Sequence, residues 1–528
     1  MQNISRGHDV VAMRRGRSNW LLGPFSDPDL RNPAITGLVA ATVTVLIGSL
    51  IRPTSGRRFS WPLAFMHNGG VPKFVVMGTS AVAVATLVYA WWMIVRVVRV
   101  RAVPIVESVS LMLWWSLPFA LGPALFSRDI YSYAAQGEMV ARGLNPSTDG
   151  PAALNLLGTG HNVFTQLSDP IWRHTAAPYG PLWFRLSGTI VSVSGHRPEL
   201  ANFMFRLVAF GSVAVIAWAM VHLARRYDVE PSRVLVLGVL NPLVLMHLIS
   251  GAHNEGLMMA LLLLGLVWAG DGHRIVGIVL IALAAAVKIP ALAGVVIVGW
   301  GWFGSDAPFR RRVWGVVIAM GLGSVALGVT SIATGLGFAW IHTFGAPGQV
   351  RALGAPVASF ALVVEQITRL LGVDWSRSAI TSLVRLGGLG LAAVISGAIV
   401  YRSRERVSIV SLGVLLLVVD LLGPALYPWY LLAPFALLAY GRRPWKETAI
   451  VALTVVSAML IKPSGAGVLY EIGPFGPWVM PVIAAAGLVW WVRTHGGLDP
   501  GANDPTSPNG SAPMSAAPNE PGSRRFAG

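Results

Sequence analysis

The segment Ser127-Arg128-Asp129-Ile130-Tyr131-Ser132-Tyr133-Ala134-Ala135-Gln136-Gly137 sets a carboxylate directly after a long apolar run. On a helix, Asp129, Ser132, Tyr133 and Gln136 fall at i, i+3, i+4 and i+7 and share one face. A carboxylate so placed can serve as general base for a hydroxyl at the water–lipid boundary. It can equally cap the helix, because an Asp ahead of the first turn satisfies orphan N–H groups. The two roles are compatible, since a helix N-terminus favours the ionised form.

Four further clusters stand out. Trp172-Arg173-His174-Thr175-Ala176-Ala177-Pro178-Tyr179-Gly180-Pro181 forces a turn, and its aromatics suit membrane-interface anchors. Arg173 and Tyr179 also suit a sugar phosphate. His253-Asn254-Glu255 packs three polar residues into a short turn between apolar runs, which is expensive unless they are paired or wet. A His and a carboxylate can bind a metal, but neighbouring positions give no ligand geometry, so no metal is assigned. Lys288 is one of only four lysines, against 36 arginines, and lies at the end of an apolar run. It reads either as a snorkelling lysine or as an ammonium for a lipid phosphate. Arg206, Arg351 and Arg128 are assigned the same phosphate-binding role. The aromatic, proline-kinked turn with Trp429 and Tyr430 suits a sugar or lipid, or serves only as structure.

The elements that must position these residues are membrane spans. The chain has 528 residues, 54% hydrophobic and only 12% charged. Soluble domains carry about 25% charged residues, so this is an all-α polytopic membrane protein. About 14 transmembrane helices are expected between residues 34 and 493. Cysteine is absent, which excludes thiol catalysis, disulfides and cysteine–metal sites. The net charge of +17 does not point to nucleic acid, because the arginines sit in short loops between spans. Counting from a cytoplasmic N-terminal segment, 1–33, the loops at 96–101, 224–233, 271–274, 310–312, 402–406 and 442–446 fall inside, and all are basic. The run 182–194 does not fit as a full crossing and reads as re-entrant or in-plane. Two outer regions remain, 127–181 and 335–374, the second with an amphipathic piece at 357–371. The tail 496–528, rich in Pro, Gly, Ser, Ala and Asn, is expected to be disordered. By this count both termini are cytoplasmic, and Asp129, Tyr179, His253, Glu255, Lys288, Arg351 and Trp429 all lie on the outer side. A transporter would instead hold its charges near the midplane, with access from both sides. One-sided polarity favours an enzyme that takes a lipid-borne substrate at the outer, periplasmic face of the cell membrane.

Several short motifs occur in a telling order. They are Ser-Arg-Asp-Ile-Tyr-Ser-Tyr at 127–133, Ala-Pro-Tyr-Gly-Pro-Leu at 177–182 and Asn-Pro-Leu at 241–243, which precedes His-Asn-Glu at 253–255. Lys-Ile-Pro at 288–290, Gly-Leu-Gly-Phe-Ala-Trp-Ile at 335–341 and Pro-Trp-Tyr-Leu-Leu at 428–432 follow. In this combination the chain, from about 34 to 493, resembles the actinobacterial α-1,6-mannopyranosyltransferases. The resemblance implies a GT-C glycosyltransferase fold over 34–495, with the catalytic acid in the first outer loop. It implies a polyprenyl-phosphate mannose donor and, as acceptor, the α-1,6-mannan backbone of the lipoglycans lipomannan and lipoarabinomannan. Asp129 would then be the base of an inverting transfer. Lys288, Arg206, Arg351 or Arg128 would hold the donor phosphate. Tyr133, Gln136, Arg173, Tyr179, His253, Asn254, Glu255, Trp429 and Tyr430 would contact sugar or lipid. No general acid is required, because the leaving phosphate is already a stable anion; no cofactor is expected, and a divalent metal could supply some of the cationic help although no ligand set demands one. A protein O-mannosyltransferase and a lipid-sugar flippase are the alternative readings.

Overall fold

The computed structural model describes residues 20–50, 72–158, 160–343, 353–373, 375–403 and 408–495. Arg351, the first 19 residues, the segment 51–71 and the tail 496–528 lie outside the described residues. The chain divides into two units, 1–481 and 482–528. The second begins within the last helix, Gly476–His495. Everything below concerns the first.

The described residues are helical, and the one strand-like pairing among them is a bridge between Ile461 and Gly467. Five of the described helices are long and apolar enough to cross a membrane: Arg31–Gly48, Phe74–Val100, Pro198–Arg226, Phe309–Ala333 and Arg377–Arg402. Their ends follow helix chemistry. Pro198–Arg226 opens with Pro and Glu199 and closes with Arg225 and Arg226, matching its dipole. The Ser376 side chain accepts the Ala379 N–H at the start of Arg377–Arg402.

The other apolar segments are short or broken. Val244–Ser250 and Glu255–Gly270 pass together as one span bent by 105°. Ile105–Leu121, Arg274–Ala285, Ile289–Trp300, Ile409–Leu422 and Pro428–Leu438 are apolar but shorter. The all-α polytopic class therefore stands, while helix length among the described residues does not reproduce a count of about 14 full spans. Helix breaks at Gly251–Asn254, around Lys288 and before Pro428 fall at the turns expected between apolar runs, and each carries polar or aromatic residues of interest.

Packing is close where the broken helices meet. A Cβ on Gly265 would sit 2.7 Å from the Gly277 carbonyl oxygen, and one on Gly277 would sit 2.6 Å from that of Gly265. Glu255–Gly270 and Arg274–Ala285 thus touch backbone to backbone, as small residues allow in membranes. The indole N–H of Trp91 donates to the Val236 carbonyl (2.8 Å) and that of Trp115 to Ala34 (3.0 Å), so both bury without an orphaned donor.

The run expected to be re-entrant or in-plane forms a 13-residue helix, Pro181–Val193. At 1.5 Å per residue that is about 20 Å, too short to cross. It buries Trp183, Phe184, Ile190 and Val191 and packs on the helix that begins at Asp129. The amphipathic piece at 357–371 is the helix Pro356–Leu370, with Val357, Ala358 and Ala361 buried and Phe360 and Leu370 exposed.

Candidate active site

Asp129 is the first residue of the helix Asp129–Ala141. The capping reading is corrected here. Arg128 occupies the N-cap without a side-chain bond, and the Asp129 N–H donates instead to Ser127 Oγ at 3.0 Å. The carboxylate is therefore free of cap duty. The chain enters this segment through Phe126, whose φ of 65° is left-handed and whose N–H donates to the Pro463 carbonyl at 2.9 Å. Such backbone costs about 1–3 kcal/mol and persists where the surroundings over-determine it.

The second polar segment is launched the same way. Ala252, with φ of 50°, follows the wide-turned helix Val244–Ser250 and swings His253, Asn254 and Glu255 into the interior. All three are almost fully buried. His253 Nδ1 lies 3.4 Å from Asp129 Oδ2 and 3.7 Å from Glu255 Oε2, bridging two carboxylates. Asn254 Oδ1 accepts from the Tyr133 hydroxyl at 3.4 Å. Glu255 is ion-paired with Lys288.

Lys288 arrives from the break between Arg274–Ala285 and Leu292–Trp300. Its ammonium lies 4.0 Å from the centre of the Tyr430 ring and 5.9 Å from that of Tyr179. Aromatic faces stabilise a cation kept from bulk water. The Pro178-Tyr179-Gly180-Pro181 turn is clamped to the same strand of chain. The Gly180 N–H donates to Val287 and the Leu182 N–H to Ala286, both at 3.0 Å. A Cβ on Gly180 would fall 2.2 Å from the Ala286 oxygen, so only glycine permits this approach.

The fourth wall is aromatic. His253 stacks on Trp429 (4.1 Å, 27°), and Trp429 stacks on Tyr427 (4.8 Å, 7°). Tyr133 meets Tyr179 and Trp183 edge-on, at 5.5 and 4.9 Å. Accessibility sorts the cluster into two layers. Asp129 and Lys288 keep 17% and 13% of their side-chain surface, whereas His253 keeps none and Glu255 3%. The first pair can touch a substrate; the second pair stands behind it.

Electrostatics follow from this enclosure. Burial, reinforced by the Glu255 charge and opposed by Lys288, pushes the Asp129 carboxyl up to about 7. The expectation that a helix N-terminus would keep it well ionised is thus overridden by desolvation. A base balanced near neutral pH is suited to accept and release a proton. Burial, with the Asp129 and Glu255 charges, also holds the Tyr133 and Tyr179 phenols well above their ordinary value, so they remain neutral hydrogen-bonding groups.

The structure therefore brings together Asp129, Tyr133, Tyr179, His253, Asn254, Glu255, Lys288, Trp429 and Tyr430. It gives the expected cations other duties. Arg206 is 1% exposed, and its guanidinium donates to the carbonyls of Phe119, Ala120, Gly122 and Ser250. Arg128 donates to the Leu167 carbonyl (3.1 Å) and Arg173 to those of Gln166 and Ser168, so both tie down the 127–181 loop. Gln136 is buried on the helix face below Tyr133. Arg351 is outside the described residues. Two residues were passed over in the sequence. His247 is buried 5.2 Å from the Trp429 ring. Asp420 lies in the last turn of the apolar helix Ile409–Leu422. The available signal was a lone ionisable residue in an apolar run.

Comparison with known proteins finds matches along most of the chain. The model described as "Alpha-(1->6)-mannopyranosyltransferase, N-terminal domain" matches residues 34–304, and "MptB C-terminal domain" matches 356–495. A probable alpha-(1->6)-mannopyranosyltransferase of Mycolicibacterium smegmatis is 32% identical over 498 residues, covering 86% of this chain and 87% of that protein. Alpha-(1->6)-mannopyranosyltransferase A of Mycobacterium tuberculosis is 30% identical over 72% of this chain and 73% of its own length. Its namesake in Corynebacterium glutamicum is 29% identical, over 71% and 78%. No solved structure matches.

Proposed function

The chain belongs to the alpha-(1->6)-mannopyranosyltransferase family, and on that premise we propose that it moves mannose from polyprenyl-phosphate mannose to the α-1,6-mannan backbone of lipomannan and lipoarabinomannan. The protein is a multi-pass membrane mannosyltransferase. In the proposed reaction Asp129 is the general base and the site faces the outer side of the membrane, with both termini inside.

The acceptor 6-hydroxyl oxygen attacks the anomeric carbon of the donor as its proton passes to Asp129. The bond from that carbon to the phosphate oxygen breaks, and polyprenyl phosphate leaves with the electron pair. A β-linked donor then gives an α-linked product by one inverting displacement. The leaving group is an anion without protonation, so no general acid is required. Lys288 meets the charge that grows on the phosphate oxygen, which is where a fixed cation lowers the barrier. His253, held between Asp129 and Glu255, orients the base; Asn254 and Tyr133 complete the wall behind it. Tyr179 and Tyr430 flank the ammonium and offer neutral faces to sugar or the first isoprene.

The observation that carries this reading is the continuous path Asp129–His253–Glu255–Lys288, which sets a base and a cation at opposite ends of one cluster. The test is an assay in membranes with labelled polyprenyl-phosphate mannose and short α-1,6-mannoside acceptors. Asp129→Asn is expected to lower turnover about 10²–10⁴-fold, the usual worth of a general base. Full activity in that variant rejects the base. Label in protein but not in mannosides rejects the acceptor in favour of a protein O-mannosyltransferase. Donor crossing the membrane without transfer rejects the enzyme reading in favour of a flippase.

A further inference from the structure

The two segments that carry Asp129 and His253 start from one knot of hydrogen bonds, and Arg206 ties it. Arg206 lies on the helix Pro198–Arg226 and is 1% exposed. Its Nη1 donates to the carbonyls of Phe119 (3.1 Å), Ala120 (3.1 Å) and Gly122 (3.0 Å), at the end of the helix Ile105–Leu121. Its Nη2 donates to the carbonyl of Ser250 (3.0 Å), the last residue of Val244–Ser250. A further bond closes the knot, because the Leu125 N–H donates to Ser250 Oγ at 3.1 Å.

The last carbonyls of a helix have no partner within it, and a cation there also meets the negative end of the dipole. This accounts for a buried guanidinium at one helix end. It does not account for one side chain joining two. The arms of a guanidinium lie in one rigid plane, so the group fixes the spacing of whatever its arms bind. From Leu125 the chain reaches Asp129 in four residues, and from Ser250 it reaches His253 in three. Each stretch passes through one left-handed residue, Phe126 (φ 65°) or Ala252 (φ 50°), a conformation held only where the surroundings over-determine it. Two short, constrained segments thus leave a common anchor and bring Asp129 Oδ2 and His253 Nδ1 to 3.4 Å.

We propose that Arg206 is a positioning residue for the transfer reaction: by pinning the starts of both segments it sets Asp129 against His253, without touching substrate. The inference rests on Asp129 being the base, as given under Proposed function. It also removes Arg206 from the cations that could meet the donor phosphate. Position matters here, since a misplacement of about 1 Å can cost about 10²-fold in rate.

The experiment is a double-mutant cycle on the full-length protein in membranes, with labelled polyprenyl-phosphate mannose and an α-1,6-mannoside acceptor. Arg206→Lys keeps the charge but offers a single nitrogen in place of two arms. With Asp129 present it is expected to lower kcat about 10–100-fold and to leave the donor KM within about twofold. In Asp129→Asn it is expected to change the residual turnover by less than about twofold, because the placement of a missing base no longer matters. Equal losses in the two backgrounds overturn the proposal and leave Arg206 a purely structural residue. A donor KM that rises in both backgrounds overturns it too, and returns Arg206 to the phosphate. So does an unchanged kcat in Arg206→Lys. Thermal unfolding serves as the folding control. If Arg206→Lys fails to fold, Ser250→Ala decides: it deletes only the Leu125 bond of the same knot, and its loss of kcat, expected at about threefold or more, must be confined to the background that keeps Asp129. Full turnover in Asp129→Asn overturns the base assignment and this inference together, whereas an impaired Asp129→Asn with additive losses overturns this inference only.

Discussion

Asp129 and its neighbours set a pH dependence whose sign can be worked out. The carboxyl is held up near 7 by burial and by Glu255, and is drawn down by Lys288. A base works only when deprotonated, so kcat/KM is expected to rise with pH through an inflection near 7. Glu255→Gln removes a repelling charge and should move that inflection down; Lys288→Met removes an attracting one and should move it up. A pH–rate profile of the three proteins checks both directions, and a fixed inflection would show that another group titrates. The stability sign is separate. A carboxyl raised above its ordinary value favours folding below that ordinary value, and this contribution is lost as pH rises through 7. Asp129→Asn should thus be no less stable than wild type at pH 8, which thermal unfolding will show. Residues of this kind were legible because each is polar or aromatic in an apolar setting: Asp129, His253, Glu255, Lys288 and Trp429 announced themselves. Arg206 misled for a physical reason. A buried guanidinium can be satisfied by backbone carbonyls of distant segments, and no local pattern reveals that. Asp420 was readable but lay inside an apolar run rather than at an outer turn.

At the scale of elements, the site is built at the places where helices stop. The breaks before Glu255, at Lys288 and at Tyr427 each deliver side chains that a continuous span would have turned toward lipid or neighbours. Long spans were readable from unbroken apolar length. The short apolar runs were readable as segments ending at polar turns, but a run of about 15 apolar residues does not reveal whether it crosses in full. The contact between Gly180 and Ala286 could not be foreseen either, since it joins residues more than 100 positions apart. It is testable. Gly180→Ala forces a Cβ into backbone that cannot yield, and overpacking of this type costs about 1–3 kcal/mol. Thermal unfolding in detergent is expected to show that loss. Turnover is expected to fall further than stability alone explains, because Tyr179 and Lys288 shift together. A variant with wild-type turnover would detach this turn from the site.

At the scale of the whole molecule, the count of basic loops predicts which surfaces face outward. The chain has no cysteine, so a single introduced thiol is a unique label. Exposed His161 belongs to the expected outer loop, and exposed Ser305 lies just before the expected inner loop 310–312. In intact cells a membrane-impermeant maleimide is expected to modify His161→Cys and to spare Ser305→Cys until the cells are opened. The reverse pattern would invert the topology and put the site inside. Sequence length and charge were enough to frame this question. They could not show that residues 127–133, 253–255, 288 and 427–430 meet, because that convergence depends on helix packing across the entire first unit.

The clamp between Gly180 and Ala286 also limits how the enzyme can move. Tyr179 and Lys288 are locked to one stretch of backbone by three N–H donors, from Gly180, Leu182 and Trp183, and by a contact with no room for a methyl group. That wall behaves as a fixed jaw. Admission of a bulky lipid then falls to the remaining walls, among them the 461–467 turn that leans on Phe126 and Ser127. Hydrogen exchange is expected to report the asymmetry. The amides of Gly180 and Leu182 should exchange slowly with or without lipid, while those of 461–467 should slow when lipid binds. Equal exchange in the two walls would mean that the cavity opens by breathing as a whole, not by one hinge.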